Sequence, residues 1–234
     1  MAIGNVTPDS FYAASRLTNE EVVEWARQSL EQGADILDIG ACSTRPNSVP
    51  VDEEEEWRRL EPALRVLKEV FPNAGLSVDT FRPEIARRVL EQFGPVIIND
   101  ISGGCEAMYD LVLKHDVPYV FTFRGAYQKL SILDNTQSWK WILDPGLGFC
   151  GGVEADYTCL RRIDELKAYN RPVLVGVSRK SMIYKPLGLT PETCLNATQA
   201  LQMYALEHGA TILRTHDVKE TKQTILLYEQ ICDL

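Results

Sequence analysis

Arg171–Ser181, with the sequence RPVLVGVSRKS, is the stretch that decides the fold. Its apolar run, Val173–Val177, stops abruptly at the polar residues Ser178–Ser181. A short β-branched run that ends in this way is typical of a buried parallel strand whose carboxyl end opens onto a site. Taken alone, a strand that runs into a basic surface turn is the simpler interpretation. The same pattern recurs along the chain, however, and this repetition favours the buried strand.

Seven further apolar runs predict strands, and most of them end in a polar residue. They lie at Ala2–Asn5, Ala34–Ile39, Gly75–Val78, Val96–Ile98, Pro118–Phe123, Trp141–Leu143 and Thr211–Leu213.

Helix signals separate the strands. Thr18 with Glu21 three residues later forms a capping box, and further helices are expected over Glu154–Ala168 and Thr190–His208. Eight strands that alternate with helices predict parallel pairing and an α/β fold, the (β/α)8 TIM barrel, with one domain over residues 1–234. The site of such a barrel lies at the carboxyl ends of its strands. The alternative, a doubly wound open sheet, requires a glycine-rich phosphate loop after an early strand, and the sequence has none.

The connection between the fifth and sixth strands is unusually short, since Arg124–Ser138 contains only fifteen residues. A parallel crossover with its helix takes about 30 residues or more, strands included. The helix is therefore expected to be absent or shortened, unless the sequence is joined across missing residues. Its loss is expected to expose apolar surface of Pro118–Phe123 and Trp141–Leu143, and to give a marginally stable monomer or one that covers this face with a partner.

Composition limits the classes of function. Of the 234 residues, 45% are hydrophobic and 24% are charged, and the net charge is −9. The acidic balance argues against nonspecific nucleic-acid binding. No apolar run reaches membrane-spanning length, and no secretory signal is evident. The six cysteines lack metal-ligand spacing, so reduced thiols and a cytoplasmic location are expected.

Polar residues at the expected strand ends suggest three kinds of contact. Carboxylate, amide and ammonium groups from four strands could bind the edge of a flat polar heterocycle: Asp79, Asn99, Asp144 and Lys180. Cationic groups could hold a phosphate-like group: Arg45, Arg214 and His216. Asn5 and Asp9 offer oxygens suited to Mg²⁺. Each residue alone could equally be an ordinary cap or loop residue.

Seven motifs that occur in order over nearly the whole chain resemble those of the dihydropteroate synthase family. They are Asn5–Phe11, Ser43–Pro46, Val78–Thr80, Asn99–Gly104, Asp144–Phe149, Ser178–Ser181 and Arg214–Asp217. The resemblance implies condensation of 6-hydroxymethyl-7,8-dihydropterin pyrophosphate with p-aminobenzoate, which gives 7,8-dihydropteroate and pyrophosphate.

The resemblance also implies roles for individual residues. Pterin binding would fall to Asp79, Asn99, Asp144 and Lys180. Pyrophosphate binding would fall to Thr44, Arg45, Arg214 and His216. The p-aminobenzoate slot would be bordered by Pro46, Phe149 and Ser181, and also by Thr44. Asn5 would bind Mg²⁺, and the residues assigned to catalysis are Asp9, Arg45 and Lys180.

Further implications concern partners and alternatives. The family resemblance implies a homodimer, and it makes sulfonamides expected competitors of p-aminobenzoate. Two other functions stay open: a degenerate pterin-binding protein without turnover, and a pterin-binding methyltransferase domain of the same fold. The methyltransferase would not need the loop sequences Thr7–Phe11 and Ser43–Pro46, which therefore favour the synthase.

Overall fold

The computed structural model describes residues 1–6, 19–42, 51–135 and 140–232. Within these residues, parallel strands alternate with helices, as the sequence predicts for the (β/α)8 class. The strands are β1 (Ala2–Asn5), β2 (Ile36–Gly40), β3 (Gly75–Asp79), β4 (Ile97–Asp100), β5 (Tyr119–Thr122), β6 (Trp141–Asp144), β7 (Leu174–Val175) and β8 (Ile212–Leu213).

The helices follow the strands in the same alternation. They are α1 (Asn19–Glu31), α2 (Glu53–Val70), α3 (Pro83–Phe93), α4 (Glu106–Lys114), α5 (Val153–Arg161), α6 (Ser181–Tyr184), α7 (Leu195–Glu207) and α8 (Val218–Ile231). Two 3-10 helices, Tyr127–Asn135 and Ile163–Tyr169, complete the described elements. None of the described helices has the length and apolar character needed to cross a membrane.

The residues form two compact units, and the first contains Ala2–Asp100 and Gly104–Tyr119. In this N-terminal unit, β1 to β4 pair in sequence order, and all three pairings are parallel. Most apolar residues of β2, β3 and β4 are buried, as expected where helices cover a parallel sheet: Leu37, Ile39, Leu76, Val78 and Ile98. The register therefore fixes which residues lie side by side at the carboxyl edge.

The second, C-terminal unit contains Met1, Ile101–Gly103 and Val120–Leu234. Here β6 bridges to the chain before β7 through Leu143 and Val173, and β7 pairs with β8 in parallel. Met1 lies next to β8, because its backbone nitrogen donates a hydrogen bond to the carbonyl of Leu213 at 2.9 Å. The expectation of a single domain over residues 1–234 stays a prediction.

The short connection between β5 and β6 is covered in a way that the sequence did not suggest. In its described part, the 3-10 helix Tyr127–Asn135 takes the place of an α-helix, and it buries the side chains of Leu130 and Leu133. The rings of Phe121 and Trp141 pack 5.7 Å apart and are both only 1% exposed. The expected exposure of apolar surface on these two strands is therefore wrong.

Two expected helices also differ from the structure, and one expected helix start cannot be compared with it. Helix α7 begins at Leu195 rather than at Thr190, because Thr190 N–H instead binds Thr193 Oγ1 at 3.0 Å and forms a turn. The helix expected over Glu154–Ala168 is divided into α5 and a 3-10 helix. The capping box at Thr18 lies outside the described residues.

Candidate active site

The first group of candidate residues lies in the N-terminal unit and is organised by Asp38. Asp38 of β2 lies beside Ser77 of β3. Its fully buried carboxylate accepts hydrogen bonds from Ser77 Oγ at 2.6 Å and from Asn99 Nδ2 at 3.0 Å. An ionised carboxylate can only accept hydrogen bonds. The amide nitrogen of Asn99 therefore faces Asp38, and its amide oxygen points the other way.

Asp79 lies nearer to the carboxyl ends of the same strands. Its register partners are Gly40 and Asn99, and Gly40 is in turn the partner of Asn5. A Cβ at Gly40 would lie 3.2 Å from Cβ of Asp79, so the glycine leaves room for the aspartate side chain. Asn5, Asp79 and Asn99 thus belong to one row across the carboxyl edge of this sheet.

In the C-terminal unit, Asp144 ends β6, and each of its carboxylate oxygens has a different partner. Oδ1 accepts a hydrogen bond from the backbone N–H of Gly146 at 2.8 Å, and Oδ2 accepts one from Thr122 Oγ1 at 3.1 Å. Burial raises the pKa of Asp144, whereas the charge of Lys180 and these hydrogen bonds act to lower it. The carboxylate is thus oriented by the protein and largely desolvated, so a ligand N–H would be bound strongly here.

Lys180, in the turn after β7, approaches the segment that follows Asp144. Its Nζ donates a hydrogen bond to the carbonyl of Leu147 and lies 5.0 Å from the ring centroid of Phe149. Gly148 has a φ of 88°, and a Cβ there would lie 2.8 Å from Cδ of Lys180. Burial lowers the pKa of Lys180 to about 8, while the charge of Asp144 acts to raise it. Burial therefore opposes both charged forms, and their attraction offsets only part of this effect.

The segment after β8 brings His216 and Asp217 to the turn after β7. Nδ1 of His216 lies 3.1 Å from Ser178 Oγ, and its backbone N–H donates to the same oxygen at 3.2 Å. Asp217 accepts from Nε of Arg179 at 2.9 Å and from its Nη2 at 2.6 Å. Arg179 has a left-handed φ of 55°, a conformation that costs energy for a residue with a Cβ. The bidentate ion pair helps to hold this conformation.

Not every expected site residue can be placed. Four residues of the two expected loops lie outside the described part of the chain: Asp9, Thr44, Arg45 and Pro46. Of the others, Ser181 begins α6, and Arg214 follows β8 directly. Within residues 1–6, 19–42, 51–135 and 140–232, no group of three or more His, Cys, Asp or Glu side chains could hold a metal ion. Asn5, the expected Mg²⁺ ligand, ends β1.

Three residues with no individual role predicted from the sequence lie in these groups. Thr122 binds Asp144, Ser178 binds His216, and Arg179 binds Asp217. Thr122 ends β5, and the other two follow β7, so the criterion of a polar residue after an apolar run applies to them as well. The sequence does not show which strand ends lie side by side, and this determines the partner of each residue.

Comparison with known proteins identifies the family. The family described as "Pterin binding enzyme" matches residues 1–137 and 126–216, two ranges that overlap at the short connection. The chain is 35% identical to the type-3 dihydropteroate synthase of Escherichia coli, over 95% of each protein. It is 33% identical to the dihydropteroate synthase of Escherichia coli K12, over 98% of this chain and 90% of that protein.

Solved structures give the same result. The dihydropteroate synthase of Xanthomonas albilineans with 4-aminobenzoic acid superimposes with a TM-score of 0.90 at 31% identity, over 100% of this chain and 92% of that one. The Yersinia pestis enzyme in a sulfonamide complex has a TM-score of 0.88 at 28% identity, over 100% and 94% of the two chains. The similarity covers the strands that carry both groups of site residues, and the chain therefore belongs to the dihydropteroate synthase family of pterin-binding enzymes.

Proposed function

We propose that this protein condenses 6-hydroxymethyl-7,8-dihydropterin pyrophosphate with p-aminobenzoate and releases 7,8-dihydropteroate and pyrophosphate. The observation that carries the proposal is the pair of desolvated, oppositely charged groups of Asp144 and Lys180, each oriented by the backbone around Gly146–Gly148. In a purely structural ion pair, the two charged groups bind each other and the protein satisfies their other hydrogen bonds. Asp144 and Lys180 are instead each held by neighbouring groups of the protein. Two such groups are suited to a polar ligand that presents both donors and acceptors.

The pterin ring is such a ligand. Asp79 and Asp144 accept hydrogen bonds from its ring N–H and amino groups, and Lys180 donates to its ring carbonyl. Asn99 contributes its amide, whose orientation is set by Asp38. Because these groups lose water on burial, a ring with a mismatched edge would leave one of them unpaired, at a cost of about 1–3 kcal/mol each. This accounts for selectivity toward the pterin.

The pyrophosphate group is bound by Thr44, Arg45, Arg214 and His216. Asn5 is the protein ligand for Mg²⁺. A single amide oxygen at the end of β1 fits this ion, which is commonly bound by one or two protein oxygens together with substrate phosphates. Bound Mg²⁺ would supply positive charge to the leaving group. The arginine and histidine side chains stabilise the same negative charge as it develops.

The p-aminobenzoate ring lies in a slot bordered by Pro46, Phe149 and Ser181. In the reaction, the bond from the pterin methylene carbon to the pyrophosphate oxygen breaks, and the oxygen keeps the electron pair. The amine nitrogen then bonds to the carbon and loses a proton. Asp9 and Arg45 belong to the two loops that close over the reactants. Closure of these loops holds the amine of p-aminobenzoate beside the methylene carbon. No protein nucleophile is needed for this sequence of events.

Three further properties belong to the proposal. Sulfonamides compete with p-aminobenzoate, because they present a similar aromatic amine. The enzyme acts in the cytoplasm, where its thiols stay reduced. It forms a homodimer, for which α8 offers apolar side chains that are more than half exposed: Leu226, Leu227 and Ile231.

The test is a pyrophosphate-release assay of the purified protein with both substrates and Mg²⁺, with each substrate omitted in turn as the control. We expect release only when both substrates and Mg²⁺ are present, and calorimetric binding of pteroic acid to the same preparation. Pterin binding without release would favour a degenerate pterin-binding protein, and transfer of a methyl group from an added methylated pterin to an added acceptor would favour the methyltransferase. Absence of both binding and release would reject the assignment.

A further inference from the structure

The turn after β6 is held between two carboxylates. At its start, Asp144 accepts the backbone N–H of Gly146 at 2.8 Å. At its end, Oδ1 of Asp156 on α5 accepts the backbone N–H groups of Gly148 at 2.7 Å and of Cys150 at 3.3 Å. Asp156 is only 1% exposed. Two N–H groups therefore compensate for the burial of a carboxylate that has no part in the proposed function as described so far.

The peptide group between Leu147 and Gly148 connects Asp156 to Lys180. Its N–H donates to Oδ1 of Asp156, and its carbonyl oxygen accepts a hydrogen bond from Nζ of Lys180. This peptide is trans, so its N–H and its C=O point in opposite directions. The carboxylate and the ammonium group thus bind opposite sides of one planar unit, and each hydrogen bond polarises the peptide in the direction that strengthens the other.

The position of Asp156 in α5 does not by itself explain these contacts. Asp156 belongs to the first turn of the helix, where a negative charge is favourable. Glu154 of the same turn meets that requirement from an exposed position. The hydrogen bonds of Asp156 go instead to the segment that contacts Lys180. They indicate a role toward this turn rather than toward the helix.

Lys180 is faced by titratable and charged groups from every element around it. They are contributed by β6, the segment after β8, α5 and the turn after β6, in this order: Asp144, Arg214, Asp156 and Cys150. Burial lowers the pKa of Lys180 to about 8 and the charge of Arg214 acts in the same direction, whereas Asp144 and Asp156 act to raise it. Burial raises the pKa of the Cys150 thiol, which is therefore neutral near pH 7. Asp156 is thus a second source of negative charge for Lys180.

We propose that Asp156 is a positioning residue, which fixes the Leu147–Gly148 peptide and thereby holds the ammonium group of Lys180 where the ring carbonyl of the pterin binds. The inference rests on the proposed function for its ligand, but the link between Asp156 and Lys180 is a property of the unliganded protein. Asp156 acts in two ways. Its hydrogen bonds orient the carbonyl that accepts from Lys180, and its charge favours the protonated amine, which is the form that donates to the pterin.

The first experiment measures the pKa of Lys180 without ligand, by NMR titration of protein labelled with ¹³C at the lysine Cε, and Lys180→Arg assigns the signal. Asp156→Asn keeps an oxygen that can accept the N–H of Gly148 but removes the charge. We expect this variant to lower the pKa of Lys180 by about 0.5 to 1 pH unit. Glu154→Gln is the matched control, because it removes one charge from the same turn of α5 at an exposed position, and it should have a much smaller effect.

The second experiment measures the affinity for pteroic acid as a function of pH by calorimetry. The affinity should fall as the pH rises through the pKa of Lys180, so a lower pKa moves this fall to lower pH. Asp156→Asn should show that displacement and should bind within about twofold of the wild type near pH 6, where Lys180 remains charged. Asp156→Ala also removes the hydrogen bonds, and near pH 6 it should bind about three- to tenfold more weakly.

The outcomes separate this inference from the proposed function. Asp156 has no positioning role if Asp156→Asn changes the pKa of Lys180 no more than Glu154→Gln does, or if Asp156→Ala binds pteroic acid as tightly as the wild type. If Asp156→Ala does not fold, Asp156→Asn decides through the pKa and the pH profile. If the wild-type protein releases no pyrophosphate from the two substrates, the proposed function fails, while the titration of the unliganded protein still decides whether Asp156 acts on Lys180.

Discussion

The two groups of candidate residues are built in different ways. In the N-terminal unit, Asp79 and Asn99 are aligned by the pairing of regular strands, and Asp38 fixes one of them from within the same sheet. In the C-terminal unit, Asp144 and Lys180 depend on turns that follow the strands. Strand register fixes a side chain to within one residue step, whereas a turn requires particular backbone angles and close approaches.

This difference has consequences for tolerance to change. A strand residue keeps its position as long as the sheet pairs, so its loss removes one interaction. A side chain that lies against a turn depends on that turn as well, so substitutions that do not touch the ligand should also weaken binding. The following predictions test this contrast through the affinity for pteroic acid.

Lys180→Ala should have the largest effect, a loss of about 30-fold or more. The variant removes a charged donor to the ring carbonyl of the pterin. It also leaves the desolvated carboxylate of Asp144 without its cationic neighbour. Titration calorimetry would measure the affinity, with Lys185→Ala as the control, because Lys185 is exposed and lies at the opposite end of α6 from Lys180. An unchanged affinity of Lys180→Ala would remove Lys180 from the site.

The pH dependence should give the next largest effect. Burial lowers the pKa of Lys180 to about 8 in the free protein. A ligand carbonyl that accepts from the ammonium group raises this pKa in the complex, so the contribution is complete below about pH 8 and is lost as the pH rises through that value. We expect affinity to fall about tenfold between about pH 7 and about pH 9.

Two further measurements sharpen this prediction. Arginine keeps its charge over this range, so Lys180→Arg should remove the loss of affinity at high pH even if it binds more weakly overall.

Burial raises the pKa of Asp144. Protonation of its carboxylate should therefore weaken binding at a higher pH than protonation of an ordinary aspartate would. A flat profile between pH 7 and about pH 9 would show that the charge of Lys180 is not used.

Part of this architecture could be predicted from the sequence, because it depends on local patterns. The apolar run Val173–Val177 predicted β7, although the strand itself ends at Val175, and the run Trp141–Leu143 predicted β6, which ends at Asp144. The contact of Ser178 with His216 could not be predicted, since it follows from the register between two segments 38 residues apart. Likewise, the burial of Trp141 against the ring of Phe121 depends on packing that a count of apolar residues does not describe.

Gly148→Ala should weaken binding about fivefold, a smaller effect than the loss of Lys180 itself. The added Cβ would lie 2.8 Å from Cδ of Lys180 and would push that side chain away from Leu147. Gly151→Ala is the matched control, since Gly151 also has a positive φ, 110°, but a Cβ there would meet no atom within 4 Å. Both variants carry the backbone strain, so the difference in affinity reports the contact. Equal losses would mean that strain alone matters.

Asp38→Asn should have the smallest effect, about threefold, and less than Asp144→Asn. Asp38 does not face the pterin in the proposed site but fixes Asn99, whose amide nitrogen donates to it at 3.0 Å. In the variant, the new amide can turn its oxygen to Asn99 and lose only the hydrogen bond from Ser77, or keep that bond and turn Asn99 over. Asp144→Asn instead replaces a ligand acceptor by a donor. Calorimetry of the two variants gives the order, and a larger loss for Asp38→Asn would mean that the buried network of β2 to β4, rather than the turn after β6, determines pterin affinity.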